Sequence, residues 1–370
     1  MKILHVTSTY APKVGGIETV VANLVRYGQN QGIEADVLHM EPGLATADDT
    51  AADGSRIWRR PLWPHRLLGL SPPLGDLVKP YDLLHVHDPL LAAISLNSFL
   101  AAPGKPRVLS THGGFFHTRN KQALKDFHWR YLARGMLSQF DAVLASSHAD
   151  RDLFATKGVP VKLAVNGVDV ARFAAIPAGA RPADRWLYWG RLSINKRLDL
   201  AIDLVARLKA RGQFVTLTIA GPDPDGVVPA LTAQIAAQGL GDRVTLRPPL
   251  SDDEIGGEIA RHGVYITASE YEGFGLTVIE AMAAGMVILC RDFAPLNQFV
   301  VPGVNGDLLA YDGGEADVDK AAAMARLSPE ALGRLSANAR DSALKHDWTQ
   351  AIGAFTDAYA EAIATPRRRR

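Results

Sequence analysis

The stretch EGFGLTVIE, residues 272–280, sets Glu272 and Glu280 eight positions apart around Gly273 and Gly275. Glycines ahead of a helical run leave backbone N–H groups open to phosphate or sugar oxygens, at a helix end whose dipole favours anions. Carboxylates accept strongly from paired hydroxyls, so an acid on each side of such a turn suits a polyhydroxylated ligand, with a sugar at one acid and a ribose at the other. The plainer alternatives are a dipole-favoured acid for Glu272 and a surface acid for Glu280. In WGRLSINKR a strand ending near Trp189 delivers Arg191 and, five residues later, Lys196. Two fixed cations past a strand end can neutralise a leaving diphosphate without a metal, Arg as a fork and Lys as a point charge. Taken singly, either is as well read as an ordinary solvated charge. In YAPKVGGIETVVANLV, Gly15 and Gly16 occupy the turn before a helix that opens near Ile17. That turn suits a diphosphate cradle and a plain strand-to-helix connection equally. Neither GxxxxGK[ST] nor GxGxxG is present, which disfavours a Walker-type nucleotidase and an NAD-dependent dehydrogenase.

These residues need strands that end beside one another. Short apolar runs alternate with helical patterns: KILHVTS (2–8), a helix over about 17–30, EADVLHM (34–40), YDLLHVHD (81–88), PRVLSTH (106–112), DAVLASS (141–147) and VKLAVNG (161–167). Such runs predict a parallel sheet covered on both faces. A second series follows: RWLYWG (185–190), a helix near 197–211, FVTLTIAG (214–221), RVTLR (243–247), GVYITAS (263–269) and MVILCR (286–291). The expectation is an α/β chain of two doubly wound parallel-sheet domains. They span residues 1–173 and 185–345, with a Pro/Ala/Gly-rich linker at 174–184 between them. A closing helix and basic tail at 346–370 should pack back toward the first domain. Ligands of open α/β sheets bind beyond the carboxyl ends of the strands, which predicts a site between two facing domains.

Composition narrows the partners. Lys and Arg number 40 against 39 Asp and Glu, so no global field favours nucleic acid. Cys290 is the only cysteine, which excludes an internal disulfide, disfavours a Cys-ligated zinc and fits a reducing compartment. No run reaches the roughly 18–20 apolar residues of a membrane span, and the N-terminal residues read as a buried strand. A cytoplasmic protein, soluble or held at a membrane surface, is expected.

Together, GG at 15–16, NGVDVARF (166–173), GRLSINK (190–196) and EGFGLTVIEAMAAG (272–285) resemble the retaining family 4 glycosyltransferases of GT-B fold. The resemblance runs from residue 2 to about 350. STHGGFFHT (110–118) sharpens it toward the α-mannosyltransferases of xanthan- and acetan-type polysaccharide assembly, which move mannose from GDP-mannose to a cellobiosyl diphosphopolyprenol. The resemblance implies a nucleotide-sugar donor, a lipid-linked oligosaccharide acceptor, peripheral contact with the cytoplasmic membrane and no metal or other cofactor. It implies that Gly16, with Gly15, backs the donor diphosphate and that Arg191 and Lys196 neutralise it. The Gly273-Phe274-Gly275 loop would lie on the donor, Glu272 would hold the donor sugar and Glu280 the ribose. His112, at a strand end of the first domain, would face the donor sugar near the reaction centre. The family usually carries Gly where this chain has Arg197, and Pro-Ser where it has Thr267-Ala268, which puts loop shape in question. Retention in the family is pictured as same-face displacement without an enzymic nucleophile.

Other clusters are weaker. His85 and His87 of HVHDP share one strand face while Asp88 points away, so a strand-end or acceptor-side role outranks a metal site. Asp223 and Asp225 form a DxD inside GPDPDG, where a turn is the simpler reading. WRRPLWPHRLLGL (58–70) and the helical KQALKDFHWRYLARGML (121–137) mix basic and aromatic residues as an interfacial or lipid-acceptor face does, and equally as a core helix with a solvated basic side does. Arg367 to Arg370 would touch anionic lipid or form a free tail. Rival classes are a sugar-nucleotide epimerase, which needs no acceptor, and a two-domain sugar-binding protein without catalysis.

Overall fold

The computed structural model describes residues 1–13, 15–65, 69–88, 93–113, 122–177 and 181–366. The chain divides into two compact units, Val168–Asp347 forming one, and Met1–Gly167 with the segment from Trp348 forming the other.

The first unit holds β1 (Lys2–Thr7), β2 (Glu34–Glu41), β3 (Ala47–Thr50), β4 (Arg56–Pro61), β5 (Leu83–His87), β6 (Arg107–Ser110), β7 (Ala142–Ala145) and β8 (Val161–Leu163). Their order in the sheet is β3-β4-β2-β1-β5-β6-β7-β8, parallel except for β3 on β4. The switch point falls at β1, between β2 and β5. Ile3, Leu4, Val37, Leu83, Leu84, Val108 and Leu109 are fully enclosed, as strands covered on both faces require. The predicted strand at 161–167 is shorter, ending at Leu163. Part of WRRPLWPHRLLGL is β4, whose charges are paired within the sheet: Arg59 Nε lies 2.7 Å from an Asp49 oxygen and Arg60 2.6 Å from Asp48, both on β3. Trp58 meanwhile donates to the Tyr81 hydroxyl at 3.0 Å. That half of the cluster is therefore sheet structure. Residues 66–68 of it lie outside the described residues.

The expected helix over 121–137 is broken. Gln122–Phe127 and Ala133–Leu137 are α-helical, and a π-turn, His128–Leu132, separates them. Phe127, Tyr131 and Leu132 are left exposed. The helix Trp348–Ala364 buries Trp348, Ile352, Phe355, Tyr359 and Ala362, a three-and-four spacing that presents one apolar stripe. Trp348 stacks on Tyr27, and the Tyr359 hydroxyl reaches His85 at 2.7 Å, so this helix belongs to the first unit.

The second unit is a sheet of β9 (Arg185–Trp189), β10 (Thr216–Ala220), β11 (Val244–Arg247), β12 (Val264–Thr267), β13 (Val287–Arg291) and β14 (Gly306–Leu309). All its pairs are parallel, in the order β11-β10-β9-β12-β13-β14, and the order switches at β9. The sequence reading set the first boundary at residue 173; the units part at 167/168. The reason is local. Val168 N donates to His346 O at 2.8 Å and Val170 N to the Asp347 carboxylate at 3.2 Å, which ties the helix Val170–Ala174 to the end of the second unit. Of the expected linker, Arg181 donates to Ala284 O at 2.6 Å and Ala183 is buried, so its described C-terminal part is packed into the same unit; residues 178–180 lie outside the described residues.

Arg197 explains one of the family departures. Its backbone is left-handed, at φ 48° and ψ 46°, the region where glycine is at ease. The guanidinium pairs with Asp199 at 2.8 Å and Glu270 at 3.3 Å. Replacing Arg197 by Gly removes a backbone cost of about 1 kcal/mol along with two part-exposed ion pairs worth about 0–1 kcal/mol each. Arg197→Gly should thus leave the urea-unfolding midpoint nearly unchanged, whereas Arg197→Val should lower stability by at least about 1 kcal/mol more. Equal stabilities for the two variants would refute the backbone argument.

Candidate active site

In the second unit the site is built at the carboxyl ends of β9 and β12. Past β9 the backbone turns at Gly190, φ 141°, against Gly221, φ 150°, at the end of β10. A Cβ on Gly221 would lie 1.8 Å from the Gly190 carbonyl oxygen, so only glycine allows this approach. Leu192 N then donates to Pro222 O at 2.8 Å, and the Tyr188 hydroxyl to Arg191 O at 2.9 Å. These bonds fix the path of the 3₁₀ turn Ile194–Lys196. Asp225 accepts from Ile194 N at 3.1 Å, and Asp223 accepts from Val227 N and Val228 N at 2.7 and 3.0 Å. Both carboxylates of the DxD thus hold backbone amides, as the turn reading expects.

Asn195 clamps the turn to the loop after β12: Glu270 N donates to Asn195 O at 2.9 Å, and the Asn195 amide to Tyr271 O at 3.2 Å. The clamp brings two predicted residues into contact. The Lys196 ammonium lies 2.5 Å from Glu272 Oε1, with the two side chains only 11% and 14% exposed. Ser269 donates to the same oxygen at 2.8 Å and is itself joined to the Thr267 hydroxyl at 2.9 Å. Thr267 therefore closes the loop with a hydroxyl link of its own. An ammonium has three N–H donors, so one bond to Glu272 leaves two for an anionic ligand. Arg191 is exposed at the same strand end.

Gly275 is the N-cap of the helix Leu276–Ala283, at φ 93°, and a Cβ there would meet Leu296 at 2.6 Å. The first amides of that helix have no preceding turn to bond, which leaves them to a ligand or water. Phe274, expected on the donor, is 6% exposed and packs edge-on against Phe299 at 5.3 Å between ring centres. Its side chain anchors the loop, and Gly273, which is partly exposed, presents backbone. Glu280 sits one turn into the helix. Burial pushes its carboxyl up to about 7, against the opposing pull of Arg172 and of a hydrogen bond from Trp189.

In the first unit, Gly15 is the N-cap of the helix Gly16–Gln29, extended at φ −177°, and Gly16 is exposed at its start. Glu18 lies against this turn: Thr9 donates to its Oε1, and a Cβ on Gly15 would be 2.7 Å from its Oε2. The helix end expected to cradle a diphosphate thus carries an acid of its own.

His112 follows β6 in a left-handed turn, φ 50°, with Gly113 at φ 86°. Asp150 holds this turn. Its Oδ2 accepts from the Thr111 hydroxyl, from Gly113 N at 3.3 Å and from Ser146 N at 3.3 Å. Burial raises the Asp150 carboxyl above its usual range while these bonds oppose the shift. The His112 ring joins His87 by a 2.8 Å bond, and His87 joins His5 by one of 3.0 Å. Burial drops His112 to about 4 and His5 to about 3, so both rings are neutral near pH 7. His85 and His87 share a face as expected, their ring centres 4.1 Å apart. Among the described residues, His5, His85 and His87 form the one histidine or acid cluster whose nitrogens lie within 4.8 Å, the spacing a metal could use. Sequence reasoning missed His5, Asp150 and Ser269; His5 was within reach, because period-two alternation in KILHVTS turns it to the same side as Ile3 and Thr7. Of STHGGFFHT, residues 114–118 lie outside the described residues.

Among known proteins, residues 14–172 match the model of Glycosyltransferase Family 4, and residues 182–341 that of Glycosyl transferases group 1. The chain is 30% identical to a GDP-mannose:cellobiosyl-diphosphopolyprenol alpha-mannosyltransferase of Xanthomonas campestris, over 99% of this chain and 98% of that one. It is also 30% identical to the protein of the same name from Komagataeibacter xylinus, over 98% and 94%. Among solved structures, sucrose-phosphate synthase of Thermosynechococcus elongatus superposes with a TM-score of 0.79 at 18% identity, covering 98% of this chain and 100% of that one. Anabaena Alr3699/HepE, in complex with UDP and glucose, gives 0.73 at 20% identity, covering 97% and 99%. With two parallel-sheet units and end-to-end similarity of this degree, the chain belongs to the family 4 glycosyltransferases of GT-B fold.

Proposed function

We propose that this glycosyltransferase moves α-mannose from GDP-mannose to a polyprenyl-diphosphate-linked oligosaccharide, cellobiosyl in the first instance, in exopolysaccharide assembly. The carrying observation is the Lys196–Glu272 pair, a cation and an acid held together at two strand ends beside Arg191. Arg191 and the free N–H donors of Lys196 neutralise the diphosphate as the bond from its oxygen to the sugar C1 breaks. The acceptor hydroxyl forms the new bond to C1 on the same face and passes its proton to a phosphate oxygen of the leaving GDP, so configuration is retained. The protein supplies position and charge, and neither a metal nor an enzymic nucleophile enters the step. Glu272 holds the mannose hydroxyls and Glu280 those of the ribose. The names of the relatives support the donor and acceptor assignments.

No helix among the described residues is long and apolar enough to cross a membrane. A peripheral mode suits the exposed Phe127, Tyr131 and Leu132, which stand beside the exposed Arg130 and Arg134. The protein should co-sediment with vesicles containing anionic lipid and be released by salt, and Phe127→Ser/Tyr131→Ser should weaken the binding. Equal recovery with and without vesicles would exclude this surface as a lipid contact.

Incubation with GDP-mannose and lipid-linked cellobiose should yield a mannosylated lipid. Lys196→Ala should lower kcat about 100-fold or more while a cooperative unfolding transition persists. Transfer from a UDP-sugar instead would replace the donor, sugar-nucleotide conversion without acceptor would indicate an epimerase, and wild-type turnover in Lys196→Ala would remove Lys196 from the reaction.

Glu280 adds a pH test. Ribose hydroxyls donate best to the ionised carboxylate, and the free protein holds that carboxyl near 7, so donor binding must expel a proton at lower pH. Affinity for GDP-mannose, whose phosphates are already ionised, should rise about tenfold between pH 6 and 8 and level off above. Glu280→Gln should flatten the profile in calorimetry. Because the raised carboxyl makes the folded state bind the extra proton, Glu280 lowers stability as pH climbs through about 7, and the Gln variant should gain thermal stability at pH 8 relative to wild type.

A further inference from the structure

Three histidines from three different chain segments form one hydrogen-bonded line inside the first unit. His5 on β1 and His87 on β5 are 1% and 0% exposed, and His112 follows β6. The links are His5 Nδ1 to His87 Nε2 at 3.0 Å and His87 Nδ1 to His112 Nε2 at 2.8 Å. His85 stays outside the line, its two nitrogens joined to the Tyr359 hydroxyl at 2.7 Å and the Ser110 hydroxyl at 2.8 Å. It packs on the His87 ring at 4.1 Å and restricts that ring's tilt.

Proton counting in this line is restrictive. A neutral imidazole owns one N–H and one lone pair, and each link consumes one of each. His87 uses both nitrogens, so it donates in one link and accepts in the other. If His5 donates from Nδ1, His87 donates from Nδ1 to His112, whose own proton must then sit on Nδ1. If His112 donates from Nε2, His87 donates from Nε2 to His5, whose proton then sits on Nε2. No third arrangement of neutral rings satisfies both links. Burial keeps all three rings neutral, holding His87 well below the usual imidazole range and His5 and His112 at about 3 and 4.

We infer that His5, His87 and His112 act as a tautomer relay in which all three rings carry their proton on the same nitrogen type, so that His87 and His5 are positioning residues for His112. The nitrogen of His112 outside the line, Nδ1, presents an N–H in one state and a lone pair in the other; passing from the first to the second takes a proton from water at His5 Nε2, moves one across each link and returns one to water from His112 Nδ1, so the three rings switch together. An uncharged ring can in this way offer either hydrogen-bond polarity to a sugar hydroxyl. This consequence rests on the function proposed above; the tautomer rule does not.

The test is long-range ¹H–¹⁵N correlation of the full chain with ¹⁵N-histidine at pH 7, with no sugar present. Signals are assigned by their loss in His5→Gln, His87→Phe and His112→Gln. The expected spectrum shows three neutral rings, all Nδ1–H or all Nε2–H, and His87→Phe returns His112 to a mixture of tautomers. Mixed types among the three wild-type rings, or an imidazolium on any of them, overturns the relay. So does a shift of His5, His85 and His87 on adding Zn²⁺ alone, which would make the cluster a metal site. Should a variant fail to fold, residue-specific assignment through the neighbouring backbone amides leaves the wild-type pattern decisive. In the transfer assay, His87→Phe should lower kcat about tenfold with little change in donor KM. Loss of all transfer in the wild type with the tautomer pattern intact would refute the function and spare the relay.

Discussion

Much of the second unit's local geometry converges on the contact between the Lys196 ammonium and Glu272. Each partner hangs from a different strand end, and both are largely withdrawn from water, so each charge is costlier there without the other. The chain meets this constraint with backbone devices. Two glycines let the ends of β9 and β10 come closer than any side chain would permit. Asp225 pins the start of the 3₁₀ turn, Asn195 ties it to the loop after β12, and Ser269 shares the load on the Glu272 oxygen. Arg197, directly after the lysine, accepts a left-handed backbone because its guanidinium finds two acids there.

The fold class was legible, and the candidate site residues stood out, because their signals are local. Apolar runs of strand length alternating with helical patterns announce a parallel sheet, and all eleven predicted strands carry a strand in the structure. Among the described residues, three strands escaped. β3 and β4 read as charged because ADDT and RIWRRP neutralise each other across the pair, a pattern seen only when both are aligned. β14, with sequence GDLL, is too short for any period. The boundary at 167/168 was hidden because it depends on bonds from backbone amides to residues almost 180 positions away. Type and spacing single out Arg191, Lys196, Glu272 and Glu280 as candidates, but the contact of Lys196 with Glu272 spans two loops and lies beyond any spacing rule.

Phe274 and the Gly15 turn teach a different lesson. A motif marks a place in the fold, and the side chains within it divide the labour in ways that the motif does not state. Phe274 turns inward to hold a loop in which Gly273 is left partly exposed and Gly275 packs closely on Leu296. Glu18 sets a negative charge at a helix end that would otherwise draw one.

The helix Trp348–Ala364 completes the first unit, supplying Trp348 against Tyr27 and Tyr359 against His85. In the order of synthesis it comes after the whole of Val168–Asp347 has been made. A ribosome releasing this chain thus exposes the β1–β8 sheet early and the helix that covers part of it only after the second unit. The second unit, continuous in sequence, can close while the first still waits. The apolar stripe of Trp348, Ile352 and Phe355 thus reaches its place late, and a truncation that removes this helix would damage the half of the molecule that was made first.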